Sequence, residues 1–355
     1  MKTIRLKTRD RATVSTVVCR DRVLEEALPK ALEPYRERGV LVFTDETVFR
    51  LYKEKLEKYL PWARVHAMPA GEENKGAESL FSLLEAMAKA GLHRGSVLVA
   101  LGGGVVGDIG GLAAWLYMRG IACIQVPTTL LAQVDASVGG KTAIDFCGVK
   151  NLVGLFKQPE TVFADPAFFA TLPPREIRSG LGEIIKHAAL CAPLFDKLSA
   201  HEKNLTNLNF LAQIVPENIA FKVHTVAQDT LEKGLRKCLN LGHTVAHAIE
   251  LSGADLSHGE CVLIGIVYEA EFAKRHCVCD ENYLNTLQAL CLAVLGSIPK
   301  VDIGRAAALS RLDKKNKDAE NITLVVPVKK GEYKILELPL ATYEEQLEEI
   351  KRILW

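Results

Sequence analysis

The sequence has no long apolar run. Its strongest hydrophobic stretches, such as SVLVAL from Ser96 to Leu101, stop far short of the roughly 20 residues that a membrane-spanning helix requires. The opening MKTIRLKTRDRATV alternates charge with apolar residues and lacks the continuous apolar segment of a secretory signal, so the expectation is a protein that is neither exported nor membrane-bound. An excess of charge is also missing. The 44 basic and 43 acidic residues leave a formal charge of +1, which argues against nucleic acid or an anionic membrane as partner. Any positive charge that matters must be local. A paired cysteine framework is absent too: nine cysteines, an odd number set mostly inside apolar runs, predict a reducing, cytoplasmic location. There is no low-complexity run, no long linker and no repeat of solenoid period.

What is present is length and apolar content. With 355 residues and 48% hydrophobic residues, the chain can fill two cores without disulfides or structural metal. Residues 1–165 alternate short β-branched runs with helical patterns. GVLVFTD (Gly39–Asp45) reads as a buried strand ending in an acid, Leu80–Ala90 as a helix, and SVLVALGGGVVGD (Ser96–Asp108) as a strand entering a glycine turn. A helix over Ile109–Arg119 and a strand over Ile121–Thr129 follow. This alternation predicts an α/β domain with a mostly parallel sheet covered on both faces. Residues 166–355 have helical spacing, with NITLVVPV (Asn321–Val328) as the one strong late strand, so a mainly α-helical second domain is expected. The closing TYEEQLEEIKRIL places Tyr343, Leu347, Ile350 and Leu354 on one face, as a docking helix would.

Three sets of residues carry candidate chemistry. Gly102, Gly104 and Gly107 form G-x-G-x-x-G between a strand and a helix, where backbone N–H groups can approach a pyrophosphate; the other reading is glycines needed only for a tight turn. Asp108 would repel a phosphate, so it is assigned to a nicotinamide amide or ribose hydroxyl. Asp45 and the turn Gly71–Lys75 are candidates for the other ribose or the adenine; each alone reads as a surface cap. His243 and His247, spaced i, i+4, share a helix face, His258 follows in LSHGE, and Glu183 sits in an otherwise apolar helix. A buried carboxylate needs a strong partner, and one glutamate with two histidines and an open position is the ligand set of a catalytic zinc site. The third set is cations among small or apolar neighbours: Lys141, Lys150 beside Asn151, and Lys186, with Lys222, Arg236, Asn240 and the Lys314–Lys315 pair as further candidates. Together they describe a pocket for a small, doubly anionic, hydroxylated molecule beside a dinucleotide and a metal.

The strings GGGVVGD, YMRG, QVPTTLLAQVDASVGGKTAID, KNLVG, LPPRE, GLGEIIK, LNLGHTVAHAIE, HGE and LDKKN resemble, in order and spacing, the 3-dehydroquinate synthase family of sugar-phosphate cyclases. The resemblance runs from about Asp45 to Asn316 and is most specific between Gly102 and Lys186. Two departures stand out. Val149 precedes Lys150 where the family usually has glycine, with Gly148 one place earlier, and Gly182 stands where alanine is common.

The resemblance implies an NAD-binding N-terminal α/β domain and a C-terminal metal- and substrate-binding domain. It assigns Glu183, His243 and His258 to zinc, with cobalt as a substitute. To NAD+ it assigns Asp45, Gly71, Glu72, Lys75, the loop of Gly104, Val105, Val106, Gly107 and Asp108, Thr128 and Thr129, and the segment from Phe168 to Thr171. Asp135, Lys141 and Lys150 resemble residues joining cofactor to substrate. Lys141, Asn151, Lys186 and His247 resemble the phosphate side, Arg236 and one of Lys314 and Lys315 the carboxylate clamp, and Lys222 with Asn240 the hydroxyl contacts. Arg119 of YMRG resembles an arginine lent to the neighbouring subunit of a homodimer.

The implied activity is a carbon–oxygen lyase of the shikimate pathway, converting 3-deoxy-D-arabino-heptulosonate 7-phosphate to 3-dehydroquinate. Transient NAD-dependent oxidation would acidify a C–H, the substrate phosphate would take that proton as it leaves, and re-reduction, ring opening and aldol closure would follow. A metal-dependent polyol dehydrogenase would share the glycine turn and metal set, but a neutral polyol requires no cation cluster. Among sister cyclases, Arg236, Asn240 and His247 favour a carboxylate-bearing substrate, which disfavours the inosose and valiolone branches and leaves aminodehydroquinate synthase as the nearer rival. A non-catalytic module would need a missing ligand or lysine, and none is missing.

Overall fold

Strands buried on both faces account for the apolar runs. The structure, a computed structural model, describes residues 1–7, 14–310 and 320–354. It divides into two compact units, Met1–Leu172 with Lys222–Leu231, and Pro173–Phe221 with Glu232–Trp355. The strands of the first unit are β1 (Lys2–Lys7), β2 (Val14–Cys19), β3 (Val40–Asp45), β4 (Arg64–Met68), β5 (Val97–Gly102), β6 (Ala122–Pro127), β7 (Lys141–Phe146), β8 (Val149–Phe156) and β9 (Thr161–Ala164). Seven of them form one sheet in the order β1-β2-β9-β6-β5-β3-β4, parallel throughout except for the β1–β2 pair. Its helices are α1 (Leu28–Leu32), α2 (Glu46–Tyr59), α3 (Ala77–Lys89) and α4 (Gly104–Leu116).

Alternation along β3 and β5 divides their side chains between two cores. Val40, Val42, Val97, Val99 and Leu101 pack with Leu28, Tyr52 and Leu56 on one face, while Leu41, Phe43, Leu98 and Ala100 pack with Leu83, Met87, Ile109 and Leu112 on the other. From β3 the chain proceeds to β4 on one side, and from β5 to β6 on the other. That reversal makes the carboxyl ends of β3 and β5 a topological switch point, the place where open parallel sheets bind ligands. Asp45 ends one of these strands and the glycine turn follows the other. β7 and β8 form a separate antiparallel hairpin that the sequence pattern did not announce.

The second unit contains α5 (Pro174–Ala189), α6 (Ala192–Ala200), most of α7 (Leu208–Gln228), α8 (His243–Leu251), α9 (His258–His276), α10 (Glu281–Leu295) and α11 (Ile303–Ser310). The hairpin β10 (Asn321–Lys329) and β11 (Glu332–Pro339) and the terminal α12 (Leu340–Leu354) complete it, so the expected late strand has a partner that the sequence reading missed. α9 is buried on nearly all sides, and a capping box between Ser257 and Glu260 fixes where it begins, directly at His258. Tyr343, Leu347 and Ile350 of α12 are buried, as a docking helix requires. No helix among the described residues is long and apolar enough to cross a membrane.

Candidate active site

The glycine turn lies between β5 and α4, with Gly103 at the N-cap and no side chain capping the helix. A Cβ on Gly102 would meet the Val106 side chain at 2.7 Å and one on Gly103 would press on Thr129 at 3.2 Å, so close packing already calls for two of these glycines. Gly104 and Gly107 have no such neighbour within 3.4 Å. They line a small cleft together with Gln125, Ala132 and Ser137. The turn therefore leaves unblocked backbone N–H groups at a helix N-terminus, which suits an anion. Val105 is half-buried and Val106 buried. The buried Thr128 donates its N–H to Gly102 O at 2.9 Å, and Thr129 Oγ1 accepts from Ala132 N–H at 3.1 Å.

Other cofactor-side residues are placed unevenly. Asp45 caps α2, its Oδ1 accepting the N–H groups of Thr47 and Val48 at 2.9 Å each. Phe168 is buried edge-on against Tyr52, whose hydroxyl lies 2.8 Å from Thr171 Oγ1. Gly71 has φ +118, and Glu72 stands 4.0 Å from the Lys75 ammonium. Lys75 is buried, pairs with Asp108 at 2.7 Å and donates to Asn151 Oδ1 at 2.7 Å. Burial raises the Asp108 carboxyl to about 6 even though Lys75 pulls the other way. Burial likewise works against the Lys75 charge, but Asp108 and Glu72 outweigh it and hold its pKa above the ordinary lysine value.

Lys141 opens β7, its Nζ 5.9 Å from the Phe156 ring centroid, and Lys150 is exposed on β8. The turn between these strands explains the first departure from the family pattern. Cys147 and Gly148 take φ of +50 and +74, as a two-residue hairpin turn requires, and Val149 pairs with Phe146 as an ordinary strand residue. Lys222, which returns to the first unit, contacts Asp135 twice, through Oδ1 at 2.6 Å and the carbonyl at 2.5 Å.

In the second unit, Glu183 is fully buried on α5 and ion-paired with the equally inaccessible Lys186. Its Oε1 lies 3.4 Å from His258 Nε2 and 3.7 Å from His243 Nε2, and one ligand atom from each of the three residues falls within 4.8 Å of the others. A tetrahedral site with bonds of about 2.0–2.2 Å has edges of roughly 3.3–3.6 Å, so these donors fit a zinc-sized divalent ion. The other ring nitrogens are held as well: His258 Nδ1 lies 2.7 Å from Glu250 Oε1 and His243 Nδ1 3.0 Å from Leu241 O, which turns both Nε2 atoms toward Glu183. Burial depresses the His258 pKa, but Glu183 and Glu250 outweigh it and hold it up at about 10. Glu250 is a functional residue that the sequence reading missed; its signal was an acid three residues after His247, one turn along α8.

His247 stacks edge-on to His243 at 5.4 Å between ring centroids. Arg236 is buried, and Asn240 donates to Glu232 Oε1 at 2.9 Å. His187 is fully buried, 5.4 Å from the Phe221 ring centroid. Arg119 is exposed in the turn after α4. Lys314 and Lys315 lie outside the described residues. At Gly182 an added Cβ would land on the Gly259 backbone, so glycine and alanine are not interchangeable there.

Comparison with known proteins places this geometry in a family. The 3-dehydroquinate synthase N-terminal model matches residues 65–179 and the C-terminal model residues 180–316. The 3-dehydroquinate synthase of Ruminiclostridium cellulolyticum is 40% identical over 324 residues, covering 86% of this chain and 88% of that protein. Among solved structures, a 2-deoxy-scyllo-inosose synthase complexed with carbaglucose-6-phosphate, NAD+ and Co2+ superposes with a TM-score of 0.85 at 25% identity, covering 98% of this chain and 100% of that one. A 2-epi-5-epi-valiolone synthase from Streptomyces hygroscopicus subsp. jinggangensis, with NAD+ and Zn2+ bound, gives 0.84 at 28% identity, covering 95% and 96%. With the two family models together matching residues 65–316 and the curated relative aligned over most of its length, the chain belongs to the 3-dehydroquinate synthase family.

Proposed function

We propose that the protein converts 3-deoxy-D-arabino-heptulosonate 7-phosphate to 3-dehydroquinate and phosphate, as an NAD- and divalent-metal-dependent carbon–oxygen lyase working in the cytoplasm as a homodimer. The observation that carries this reading over a polyol dehydrogenase is the pair of buried cations, Lys186 and Arg236, in the same unit as Glu183, His243 and His258. Lys186 is already ion-paired with Glu183, and together with Arg236 it supplies positive charge that a phosphate- and carboxylate-bearing substrate uses and a neutral polyol does not. Zinc held by Glu183, His243 and His258 supplies Lewis acidity that lowers the pKa of a substrate hydroxyl, and NAD+ supplies the reversible hydride acceptor.

The chain's own groups bind, orient and neutralise. The N–H groups of Gly104, Val105 and Val106 receive the pyrophosphate, with Gly107, Asp108 and Lys75 beside them and Asp45, Gly71, Glu72, Thr128, Thr129, Phe168 and Thr171 completing the cofactor side. Lys141, Asn151, Lys186 and His247 take the substrate phosphate, and Arg119 comes to it from the neighbouring subunit. Each charge-assisted bond to that phosphate contributes about 1.5–3 kcal/mol. Arg236 and one of Lys314 and Lys315 take the carboxylate. Lys222, ion-paired with Asp135 at 2.6 Å, donates to a ring hydroxyl together with Asn240, while Asp135 and Lys150 link the two sides.

The test is phosphate release from the heptulosonate phosphate with NAD+ in catalytic amount. Phosphate is expected in large molar excess over enzyme, with no lasting rise in NADH absorbance and with loss of turnover on chelation. Stoichiometric NADH accumulation, or full activity of metal-free protein, would overturn the reading.

A further inference from the structure

Lys75 and Asn151, from opposite sides of the proposed chemistry, are joined by a carboxylate that the mechanism does not use. Asp145 lies near the end of β7, where the hairpin loses its regular register. Ile144 pairs with Val153 and Phe146 with Val149, so Lys150, Asn151 and Leu152 together oppose Asp145 alone. Bulges of this kind re-aim side chains, and they need something to hold them. Here the Asp145 N–H donates to Lys75 O at 2.8 Å, and Asp145 Oδ1 accepts the Asn151 N–H at 2.7 Å. Asn151 has φ +50, a left-handed conformation that asparagine tolerates better than most residues. So held, Asn151 Oδ1 accepts from Lys75 Nζ at 2.7 Å, which closes a ring of three hydrogen bonds back to the residue where it began. Lys75 in turn carries Asp108 at 2.7 Å.

We propose that Asp145 is a positioning residue that locks the bulge bearing Lys150 and Asn151 onto Lys75, so that the cofactor-side and substrate-side residues of the first unit are set as one piece. The inference rests on the proposed function for the roles of Lys75 and Asn151, but the ring itself is independent of it. Asp145 touches no reacting atom. Its removal frees the Asn151 backbone from its left-handed conformation, and the Asn151 side chain then loses its direction toward Lys75.

Two titrations test this on the full-length protein: NAD+ binding by the enzyme without substrate, and the KM for the heptulosonate phosphate at saturating NAD+. Asp145→Ala is expected to weaken NAD+ binding and to raise KM, each by about five- to tenfold, the scale of losing one hydrogen bond. Asp145→Asn, whose amide oxygen can accept the same N–H, is expected to stay within about threefold of wild type. Asn151→Ala breaks the same ring, so in NAD+ binding its loss and that of Asp145→Ala should not add in the double variant. An Asp145→Ala enzyme matching wild type in both titrations overturns the inference, as does an Asp145→Asn enzyme as weak as the alanine variant. Should Asp145→Ala fail to fold, Asn151→Ala alone decides through NAD+ affinity, and an unchanged value overturns the lock. A wild-type protein that neither binds NAD+ nor releases phosphate would instead defeat the proposed function, an outcome separate from these.

Discussion

Glu250 Oε1 lies 2.7 Å from His258 Nδ1, so an acid near the end of α8 orients the first residue of α9. Outer partners of this kind fix which ring nitrogen is presented and typically contribute about 10–100-fold in metal affinity. Glu250→Ala is therefore expected to weaken zinc binding by that range with the fold retained, and Glu250→Gln, which keeps an acceptor, by less. Competition against a chromophoric chelator measures both, and unchanged affinity in Glu250→Ala would remove the orienting role.

Asp108 sets a pH window for the cofactor. Its folded pKa of about 6 exceeds the ordinary 3.8, so the native state holds this proton more tightly than the unfolded chain. Its contribution to stability accordingly falls as pH rises between those values and is level above them. The carboxylate that pairs with Lys75, and that in the proposed function accepts from a ribose or amide, exists fully only above the window. NAD+ affinity is expected to weaken as pH drops through about 6 in wild type, and that step should vanish in Asp108→Asn. Binding titrations across the range check both, and an identical step in the variant would assign it to another group.

The parts of the fold that were legible are those where burial is uniform. β3 and β5 face a core on each side, so their residues form short apolar runs bounded by turn residues. The β7–β8 hairpin was illegible for the opposite reason: Phe146, Val149, Leu152 and Val153 are exposed hydrophobics, and Asp145 and Asn151 interrupt the period with a bulge. In the candidate site, spacing alone left His243 and His247 equivalent, because i and i+4 share one helix face. Only the approach of Glu183 from α5 separates them, and that is a tertiary fact. Asp45 shows the reverse limit, since an acid at a strand end before a helix fits a ligand contact and an N-cap equally well, and here it caps α2.

Gly182 and Gly259 let α5 and α9 touch backbone to backbone, one residue away from Glu183 and from His258 respectively. A Cβ at Gly182 has only main-chain atoms to displace, and these yield less readily than a side chain. Gly182→Ala is expected to cost about 1–3 kcal/mol, the usual scale of overpacking. Because the helices must separate to admit the methyl group, zinc affinity should fall in the same variant. Chemical denaturation and metal competition read the two effects, and a variant as stable as wild type would show that the helices part freely.

Arg119 sits in a turn that few sequences would choose. Met118, Arg119 and Gly120 have φ of +48, +65 and +116 in succession, and two of the three are not glycine. Left-handed conformations cost such residues roughly 1–2 kcal/mol each, so the surroundings must hold them. The Tyr117 hydroxyl donates to Leu92 O at 2.9 Å, and Ile121 N–H to Ala114 O at 2.8 Å, which pins the turn at both ends. Leu116 and Met118 beside it are 50% and 45% exposed, and the proposed second subunit would cover them. Strain retained at an exposed arginine suits a group delivered elsewhere. Arg119→Ala and Lys186→Ala homodimers are each expected to lose most activity. Heterodimers of the two should recover part of it, because one site of each pair then receives an intact Arg119 and an intact Lys186. Co-expression with distinct tags isolates the heterodimer for assay, and activity no higher than that of the parents would place both residues of each site on a single chain.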